Sequence, residues 1–329
     1  MNWIVLIIAV VLTVGYITYV ALDMGLRPLT EAEQEKAPGD FITVTGGRLH
    51  YRWDGPATGP VVVMVHGFST PHFIFEQNVS ALTSQGYRVL RYDHFGRGWS
   101  DRPRTAYTVD FYDTTLMELL DGLNITAPVG LVGLSMGGPI VAEFAGRHPD
   151  RVNAVFLFVP AGLDVAGGDD LAAKIVRLPG IGDLMWRIVG RGMLLGDPQY
   201  DESGLAEENR LVGDIRIQMD YRGYLDSLLS TLRNTPMTSR TETYRQLAAT
   251  GMPVAAVFGA DDPTVLPSSA DRLRDLVPEA SIHMLENADH GLNYKRQDAT
   301  NPLLADFFSP KTSPPASACS LPAASGRRW

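Results

Sequence analysis

A serine between two glycines is the first feature of the sequence that could do chemistry. The segment reads Gly133-Leu134-Ser135-Met136-Gly137, and the apolar run Val129–Val132 precedes it. A helical segment with Pro139 in its first turn follows. This order predicts a strand, a tight turn and a helix, the setting that exposes a serine as a nucleophile. The flanking glycines suit the turn because side chains at 133 and 137 would collide across it.

A serine hydroxyl needs a base, and His290 is the best placed of the seven histidines. It follows the last predicted strand, Ser281–Leu285, and therefore reaches the same sheet edge as Ser135. His66 also follows a strand, but we interpret it as a structural residue that hydrogen-bonds within its loop. We predict Ser135 as the nucleophile and His290 as the general base.

The base in turn needs a carboxylate that orients its ring and stabilises the imidazolium. The predicted strand Val254–Phe258 ends in Gly259-Ala260-Asp261-Asp262-Pro263, where an acid would face the same edge. We predict Asp262 as the orienting acid and keep its neighbour Asp261 as the alternative, because loop geometry is the only criterion that separates them.

A tetrahedral intermediate also needs hydrogen-bond donors for its oxyanion. The segment His66-Gly67-Phe68-Ser69 follows the apolar run Val61–Val65, and Gly67 allows a close approach of the backbone. We predict that the N–H groups of Phe68 and Met136 form the oxyanion hole.

Alternating apolar runs and helical segments must position these residues. Continuous apolar strands that are separated by helices indicate an α/β fold with a mostly parallel sheet covered on both faces. Further strands are predicted at Phe41–Thr45, Arg48–Trp53, Arg88–Tyr92 and Val152–Val159. Helices are predicted at Glu76–Gln85, from Thr108 through Leu123, and from Met136 to His148.

Residues 161–250 interrupt the alternation, because they contain helical segments and no convincing strand. The predicted helices are Leu171–Arg177, Leu184–Val189, Tyr221–Leu232 and Thr241–Ala249. We predict a helical insertion at 161–250 between the two parts of the core, 41–160 and 251–308. An insertion of this length is usually functional.

The first 22 residues predict a membrane anchor, because no residue from Trp3 to Leu22 is charged. A cleaved signal peptide is the alternative, but no basic residue precedes the run. The basic residues that follow it, Arg27 and Lys36, favour a cytoplasmic catalytic domain by only one or two charges. Residues 23–40 are predicted as a juxtamembrane linker and 309–329 as a disordered tail.

Composition excludes several classes of protein. The net charge of −9 is a poor match to nucleic acid. The single cysteine, Cys319, excludes an internal disulfide framework and a four-cysteine zinc site. The chemistry proposed for Ser135 requires neither a metal nor a cofactor.

Together these segments resemble the α/β-hydrolase superfamily from about Phe41 to Phe308. A further segment, Asp93-His94-Phe95-Gly96-Arg97-Gly98-Trp99-Ser100, is similar to the D-x-x-G-x-G-x-S loop of that superfamily. The resemblance implies the α/β-hydrolase fold, a catalytic triad of Ser135, Asp262 and His290, and a cap formed by residues 161–250. It also implies acyl transfer to water without a cofactor.

Within that superfamily, the serine at 135 argues against epoxide hydrolases and haloalkane dehalogenases, which use an aspartate nucleophile. The favoured function is a membrane-anchored carboxylesterase or lipase that cleaves lipid-like or small apolar esters, and monoacylglycerol-type lipases are the nearest comparison. The alternatives are a serine C–C bond hydrolase, a cofactor-free haloperoxidase or perhydrolase, and a non-catalytic binding protein on the same fold.

Overall fold

The computed structural model describes residues 3–168, 170–200 and 211–309 of the 329-residue chain. The tail that we predict to be disordered, 309–329, lies outside these residues except for Ser309. Cys319 lies outside them too.

In the described part of the chain, eight strands form one sheet. They are β1 (Asp40–Val44), β2 (Gly47–Asp54), β3 (Val61–Val65), β4 (Arg88–Tyr92), β5 (Val129–Leu134), β6 (Val152–Phe158), β7 (Val254–Gly259) and β8 (Ser281–Leu285). Their order across the sheet is β1-β2-β4-β3-β5-β6-β7-β8. Strand β2 pairs antiparallel with both β1 and β4, and all other neighbouring strands are parallel. This mostly parallel sheet confirms the predicted fold class.

The central strands are apolar on both sides because the sheet has a core on each face. In β3, Val63 and Val65 belong to one buried cluster, whereas Val62 and Met64 belong to another. Alternate side chains of a strand point to opposite faces, so a continuous apolar run serves both clusters. The Val61–Val65 and Ser281–Leu285 strands have the bounds predicted from the sequence.

Helices cover both faces of the sheet and form the insertion. They are α1 (Trp3–Met24), α2 (Glu31–Gln34), α3 (Val79–Thr83), α4 (Val109–Gly122), α5 (Gly137–Arg147), α6 (Leu171–Arg177), α7 (Ile181–Leu195), α8 (Leu211–Met219), α9 (Tyr224–Asn234), α10 (Thr241–Ala249), α11 (Ser268–Leu276), α12 (Leu292–Lys295) and α13 (Gln297–Phe308). Two 3-10 turns lie at His72–Phe75 and Pro198–Tyr200.

One predicted helix is wrong. Instead of a continuous helix over Glu76–Gln85, the chain forms the 3-10 turn His72–Phe75 and the short helix α3. Asn78, between them, is buried and donates side-chain hydrogen bonds to the Asn293 carbonyl at 2.7 Å and to Asn301 Oδ1 at 2.8 Å. These long-range bonds fix the break, and local sequence does not reveal them.

The insertion consists of helices, as the sequence predicts, but they divide into two groups. Helices α6, α7, α8 and α9 contribute to the same buried cluster as α3, α12 and α13. Helix α10 instead packs on α5 in the cluster of the opposite face. This packing favours a cap that ends before α10 rather than at residue 250. We therefore treat α6–α9 as the proposed cap.

The N-terminal helix α1 is long and apolar enough to cross a membrane. None of its residues is fully buried, and residues 3–14 are all exposed. In its C-terminal half, Gly15, Tyr19 and Asp23 are half-buried at one-turn intervals, where helix α7 lies against them.

Candidate active site

Three parallel strands deliver the predicted triad residues to one edge of the sheet. Ser135 directly follows β5, Asp262 lies in the loop after β7, and His290 lies in the loop after β8. The loop after β3, which carries Phe68, ends at the same edge because β3 pairs parallel with β5. Ligands of open α/β sheets bind at this carboxyl edge.

Ser135 stands on a strained turn between β5 and α5. Its φ of 51° lies in the left-handed region, where a residue with a Cβ is disfavoured. A Cβ on Gly133 would lie 2.6 Å from the Gly137 carbonyl oxygen, and a Cβ on Gly137 would clash with the Val65 carbonyl. The turn is held by hydrogen bonds from Ser135 N to Phe158 O at 2.9 Å and from Ala161 N to Ser135 O at 3.0 Å.

The three side chains form a continuous hydrogen-bonded chain. Ser135 Oγ lies 3.0 Å from His290 Nε2, and His290 Nδ1 lies 2.8 Å from Asp262 Oδ2. His290 and Asp262 are buried, whereas Ser135 is partly exposed to the cavity beside it. The protonated Nδ1 donates to Asp262, which leaves Nε2 free to accept the serine proton.

The two neighbouring aspartates have different surroundings. Asp262 Oδ1 accepts hydrogen bonds from the amides of Thr264 at 2.8 Å and Val265 at 2.9 Å, so the carboxylate is fixed from both sides. Asp261 is exposed. The geometry thus places Asp262, and not the alternative, beside the imidazole.

The Phe68 loop lies close to the serine and is held rigidly. A Cβ on Gly67 would lie 3.4 Å from Ser135 Cβ, which shows how closely the loop approaches the turn. Arg97 Nε donates to the Phe68 carbonyl at 3.0 Å. Within the described chain, neither Phe68 N nor Met136 N donates a hydrogen bond to a protein acceptor. Both amides are therefore available to an oxyanion.

A cavity of about 110 Å³ opens at the serine. Its described lining combines apolar and neutral polar residues with one acidic side chain, Asp197. Two larger grooves, of about 830 Å³ and 400 Å³, lie elsewhere on the described surface and contain neither Ser135 nor His290. A substrate bound in the small cavity would therefore be the one within reach of the candidate nucleophile.

Comparisons with known proteins agree with this architecture. The family model of the alpha/beta hydrolase fold matches residues 60–178. A putative non-heme chloroperoxidase of Synechocystis sp. is 28% identical over 82% of this chain and 99% of its own length. A 2-hydroxy-6-oxononadienedioate/2-hydroxy-6-oxononatrienedioate hydrolase of Cupriavidus pinatubonensis is 27% identical over 87% of this chain and 99% of its length. The enol-lactonase of Burkholderia xenovorans superposes with a TM-score of 0.67 at 24% identity, over 82% of this chain and all of that one.

The family match, the relatives and the structural neighbour together support an α/β-hydrolase superfamily hydrolase. The relatives support a hydrolase, but the names of these three proteins give three different activities.

A second buried cluster of the described chain has the composition of a metal site. His50, His72 and Asp93 are the group of described residues whose nitrogen and oxygen ligands lie within reach of one ion. Both histidines contact the carboxylate through Nδ1 at 2.8 Å, and Asp93 also accepts the amides of His72 at 2.9 Å and Trp99 at 3.0 Å. Four donors thus occupy the carboxylate, so the cluster serves as a hydrogen-bonded clamp between β2, the 3-10 turn and the loop after β4.

The charges of this clamp are mutually stabilised. Burial opposes the charge of Asp93, but the charge on His72 and the hydrogen bond from His50 hold the pKa of the carboxyl well below its usual range. Burial likewise opposes the protonated form of His50, but the hydrogen bond and charge of Asp93 raise its pKa. No sequence pattern predicts this cluster, although Asp93 opens the motif that ends at Ser100.

His66 is the structural residue that the sequence suggests. Its Nδ1 lies 2.8 Å from the Gly67 carbonyl, and its Nε2 accepts a hydrogen bond from His94 N at 2.9 Å. Complete burial lowers the pKa of His66 to about 3, so the ring is neutral.

This burial predicts a pH dependence of stability. Between about pH 3 and pH 6.5 the unfolded chain protonates His66 and the folded chain does not, so the stabilisation is lost as the pH falls. The variant His66→Gln is expected to flatten the slope of unfolding free energy against pH in this window by about 1.4 kcal/mol per pH unit, the value for one proton. Denaturant unfolding in detergent at several pH values measures the slope. Equal slopes of unfolding free energy against pH for the two proteins would contradict the assignment, even if the variant is less stable at every pH.

Two tyrosines of the cap, which no sequence pattern indicates, hold the Phe68 loop from the other side. Tyr200 Oη bonds to Ser69 Oγ at 2.6 Å and Thr70 Oγ1 at 2.7 Å, and Tyr224 Oη donates to the Ser69 carbonyl at 2.8 Å. Burial raises the pKa of Tyr200 to about 12, so its hydroxyl keeps the proton. The cap therefore helps to fix the loop of the candidate oxyanion hole.

Proposed function

We propose that this chain is a serine hydrolase that cleaves neutral carboxylic esters while α1 holds it at a membrane. The observation that carries the proposal is the hydrogen-bonded chain from Ser135 through His290 to Asp262 beside the cavity. A serine esterase needs all three groups in this order, and a non-catalytic binding protein needs none of them.

Acylation begins when Ser135 Oγ attacks the ester carbonyl carbon. His290 Nε2 takes the hydroxyl proton as the Oγ–C bond forms, and Asp262 stabilises the resulting imidazolium. The amides of Phe68 and Met136 bind the oxyanion. When the intermediate collapses, the bond to the alcohol oxygen breaks and His290 gives its proton to the leaving alcohol.

Deacylation repeats these steps with water. His290 removes a proton from water, the hydroxide attacks the acyl carbon, and collapse releases the carboxylic acid as the proton returns to Ser135. Side chains and backbone amides suffice for both halves of the reaction.

The cavity lining favours a neutral substrate over a dianionic one. Among the described residues that line it, Asp197 is the only acidic one, and neither Lys nor Arg is present. A dicarboxylate would enter without a cationic partner, and burying an unpaired charge is costly. This argues against the dienedioate substrate in the name of the Cupriavidus relative and supports an ester. The enol-lactone in the name of the Burkholderia enzyme is itself a cyclic ester.

The membrane part of the proposal is supported by α1. Its 22 residues would span about 33 Å, which is close to the thickness of the hydrocarbon core of a bilayer. Residues 3 to 14 are all exposed, so the described part of the chain does not cover this apolar surface.

A substrate panel tests the function directly. The full chain in detergent is assayed with p-nitrophenyl esters of increasing acyl length, with a 2-hydroxy-6-oxodienedioate, and with hydrogen peroxide and acetate. We expect turnover of the neutral esters. Faster cleavage of the dienedioate, or peracid formation in place of hydrolysis, would instead assign the C–C hydrolase or perhydrolase alternative.

Asp197 predicts how the charge preference can be changed. It lines the cavity, and its Oδ1 accepts the Gln199 amide at 3.0 Å, a bond that asparagine can also accept. The variant Asp197→Asn is expected to raise kcat/KM for a monoanionic ester about tenfold, or about 1.4 kcal/mol of relieved repulsion. Turnover of the matching neutral ester is the control and should stay unchanged. Equal effects on both esters would refute the electrostatic role.

A further inference from the structure

Helix α1 does not leave the folded domain at its end but runs along a helix of the cap. A Cβ on Gly15 would lie 3.3 Å from Leu184 of α7. One and two turns further on, Arg187 of α7 donates to Tyr19 Oη at 3.0 Å and pairs with Asp23 at 2.7 Å. The C-terminal half of α1 therefore packs against the first half of α7.

Charged residues surround the C-terminal end of α1. Asp23 pairs with Arg187 and with Arg222, and Arg187 also pairs with Asp226. Just beyond, Asp220 pairs with Arg191 at 2.8 Å. We call these six residues the charged collar. Charged groups avoid hydrocarbon, so the collar marks the level at which a spanning α1 leaves the lipid.

The contact between Gly15 and Leu184 lies below that level. Gly15 precedes Asp23 by eight residues, which corresponds to about 12 Å along the helix. A hydrocarbon core of about 30 Å extends about 15 Å on each side of its midplane. If α1 spans the bilayer, Leu184 therefore lies within the leaflet nearer to the domain.

The residues next to Leu184 are apolar and exposed. The turn between α6 and α7 reads Leu178-Pro179-Gly180-Ile181, and all four residues are exposed. Leu178 is 52% exposed and Ile181 56%. Leu171 and Ile188, at 73% and 57%, extend the apolar surface along both helices. A soluble surface rarely presents apolar residues so close together without a partner.

The acidic side chain beside this turn is paired, and the basic side chain on α6 is exposed. Asp183 forms an ion pair with Arg233 of α9 at 2.9 Å and accepts the Gly180 amide at 2.7 Å. Lys174, on α6, is exposed, and its long side chain can extend its ammonium group to the lipid headgroups.

From these contacts we infer that the α6–α7 turn, residues 178–181, inserts into the same lipid leaflet as α1 and gives the cap its own contact with the bilayer. The inference rests on the proposed membrane anchoring and extends it. The lipid bilayer is the occupant because the exposed turn lies one helical turn from Leu184, which contacts α1 on the lipid side of the charged collar.

This arrangement links the lipid to the cavity through one helix. Leu194, near the end of α7, lines the cavity at Ser135, whereas Ile181 begins the helix at the inserted turn. The two residues are about 20 Å apart along the helix axis. An apolar ester that partitions into the leaflet would thus meet the cap before it meets bulk water.

Site-specific fluorescence in vesicles tests the inference on the full chain. Cys319 is first replaced by serine, because it is the single cysteine. A nitrobenzoxadiazole label is then attached at Ile181→Cys, at Val11→Cys in α1, or at Met284→Cys on the edge strand β8. Each protein is reconstituted in phosphatidylcholine vesicles with and without acyl chains that carry a nitroxide. We expect a blue shift and loss of fluorescence by lipid quenching at 181 and 11, and neither effect at 284.

The three labels separate failure of the inference from failure of the anchor. Quenching at 11 but not at 181 would overturn the inserted turn and leave the anchor intact. Absence of quenching at 11 would overturn the anchor and the inference together. A blue shift at 181 that lipid nitroxides do not quench would mean that protein, such as a second copy of the chain, covers the turn, and this also overturns the inference.

A charge at the turn gives an independent readout. The variant Ile181→Asp is expected to lower the hydrolysis of an ester dissolved in vesicles several-fold and to leave the hydrolysis of water-soluble p-nitrophenyl acetate unchanged. Met284→Asp places the same charge at an exposed apolar residue of β8 and should change neither rate. Equal vesicle activity of Ile181→Asp and the unaltered chain would contradict the inference.

Discussion

Replacing Ser135 with alanine is expected to lower kcat for ester hydrolysis by about 10⁶-fold. The variant loses the oxygen that forms the acyl-enzyme, and His290 at 3.0 Å then has no proton to accept. His290→Ala is expected to lose nearly as much, because groups that act as a unit have non-additive effects. Initial rates on a p-nitrophenyl ester, together with labelling by a fluorophosphonate, measure both losses.

The control for this prediction is Ser80→Ala, an exposed serine on α3 that should keep full activity and labelling. Thermal unfolding in detergent checks that each variant is folded. Turnover near that of the unaltered chain in purified, folded Ser135→Ala would contradict the proposed mechanism. Failure of the unaltered chain to react with the fluorophosphonate would favour the non-catalytic binding protein.

The sequence predicts the sheet and the candidate triad because both depend on local signals. Val61–Val65 is a strand by composition alone, and a glycine on each side of Ser135 indicates a turn too tight for side chains. The convergence of Ser135 and His290 then follows from topology, since parallel strands bring their carboxyl ends to one edge. The triad could therefore be predicted although Ser135 and His290 are far apart in the sequence.

The parts that the sequence did not predict depend on contacts between distant segments. Helix α7 is longer than the predicted Leu184–Val189, and α8 (Leu211–Met219) was not predicted at all. Both belong to the cap, where helices are stabilised by packing on one another rather than by a regular pattern. Tyr200 and Arg97 support the Phe68 loop from segments far away in sequence, so no local pattern indicates their partners.

The same limit applies to the N-terminal region. The apolar run before Asp23 predicts a membrane helix, but nothing in that run indicates that Arg187 of the cap will pair with Asp23. The pairing changes the role of the cap in the proposal. If α1 spans a membrane as proposed, a cap that is attached to it lies at that membrane, and a lipid-like ester then fits a site with no Lys or Arg in its described lining.

Replacing Asp262 with asparagine is expected to lower kcat by about 10⁴-fold, the loss seen when the orienting acid of such a triad becomes an amide. The buried carboxylate accepts the His290 Nδ1 proton at 2.8 Å and two backbone amides through its other oxygen. An asparagine that keeps its carbonyl oxygen on those two amides must turn its NH₂ group towards His290. The imidazole then carries its proton on Nε2, where it can no longer accept the proton of Ser135.

Asp261→Asn provides the matched control, because the same substitution is made one residue away at an exposed position. It is expected to keep kcat within about twofold of the unaltered chain, as surface changes outside a site usually do little. Rates for both variants are measured on one p-nitrophenyl ester over a range of pH, since the residual activity of Asp262→Asn should recover partly at high pH, where hydroxide can remove the serine proton in place of the imidazole. A large loss in Asp261→Asn with normal activity in Asp262→Asn would reverse the assignment. The contrast between adjacent residues thus separates a group that orients the base from the general effect of removing a negative charge at the edge of the sheet.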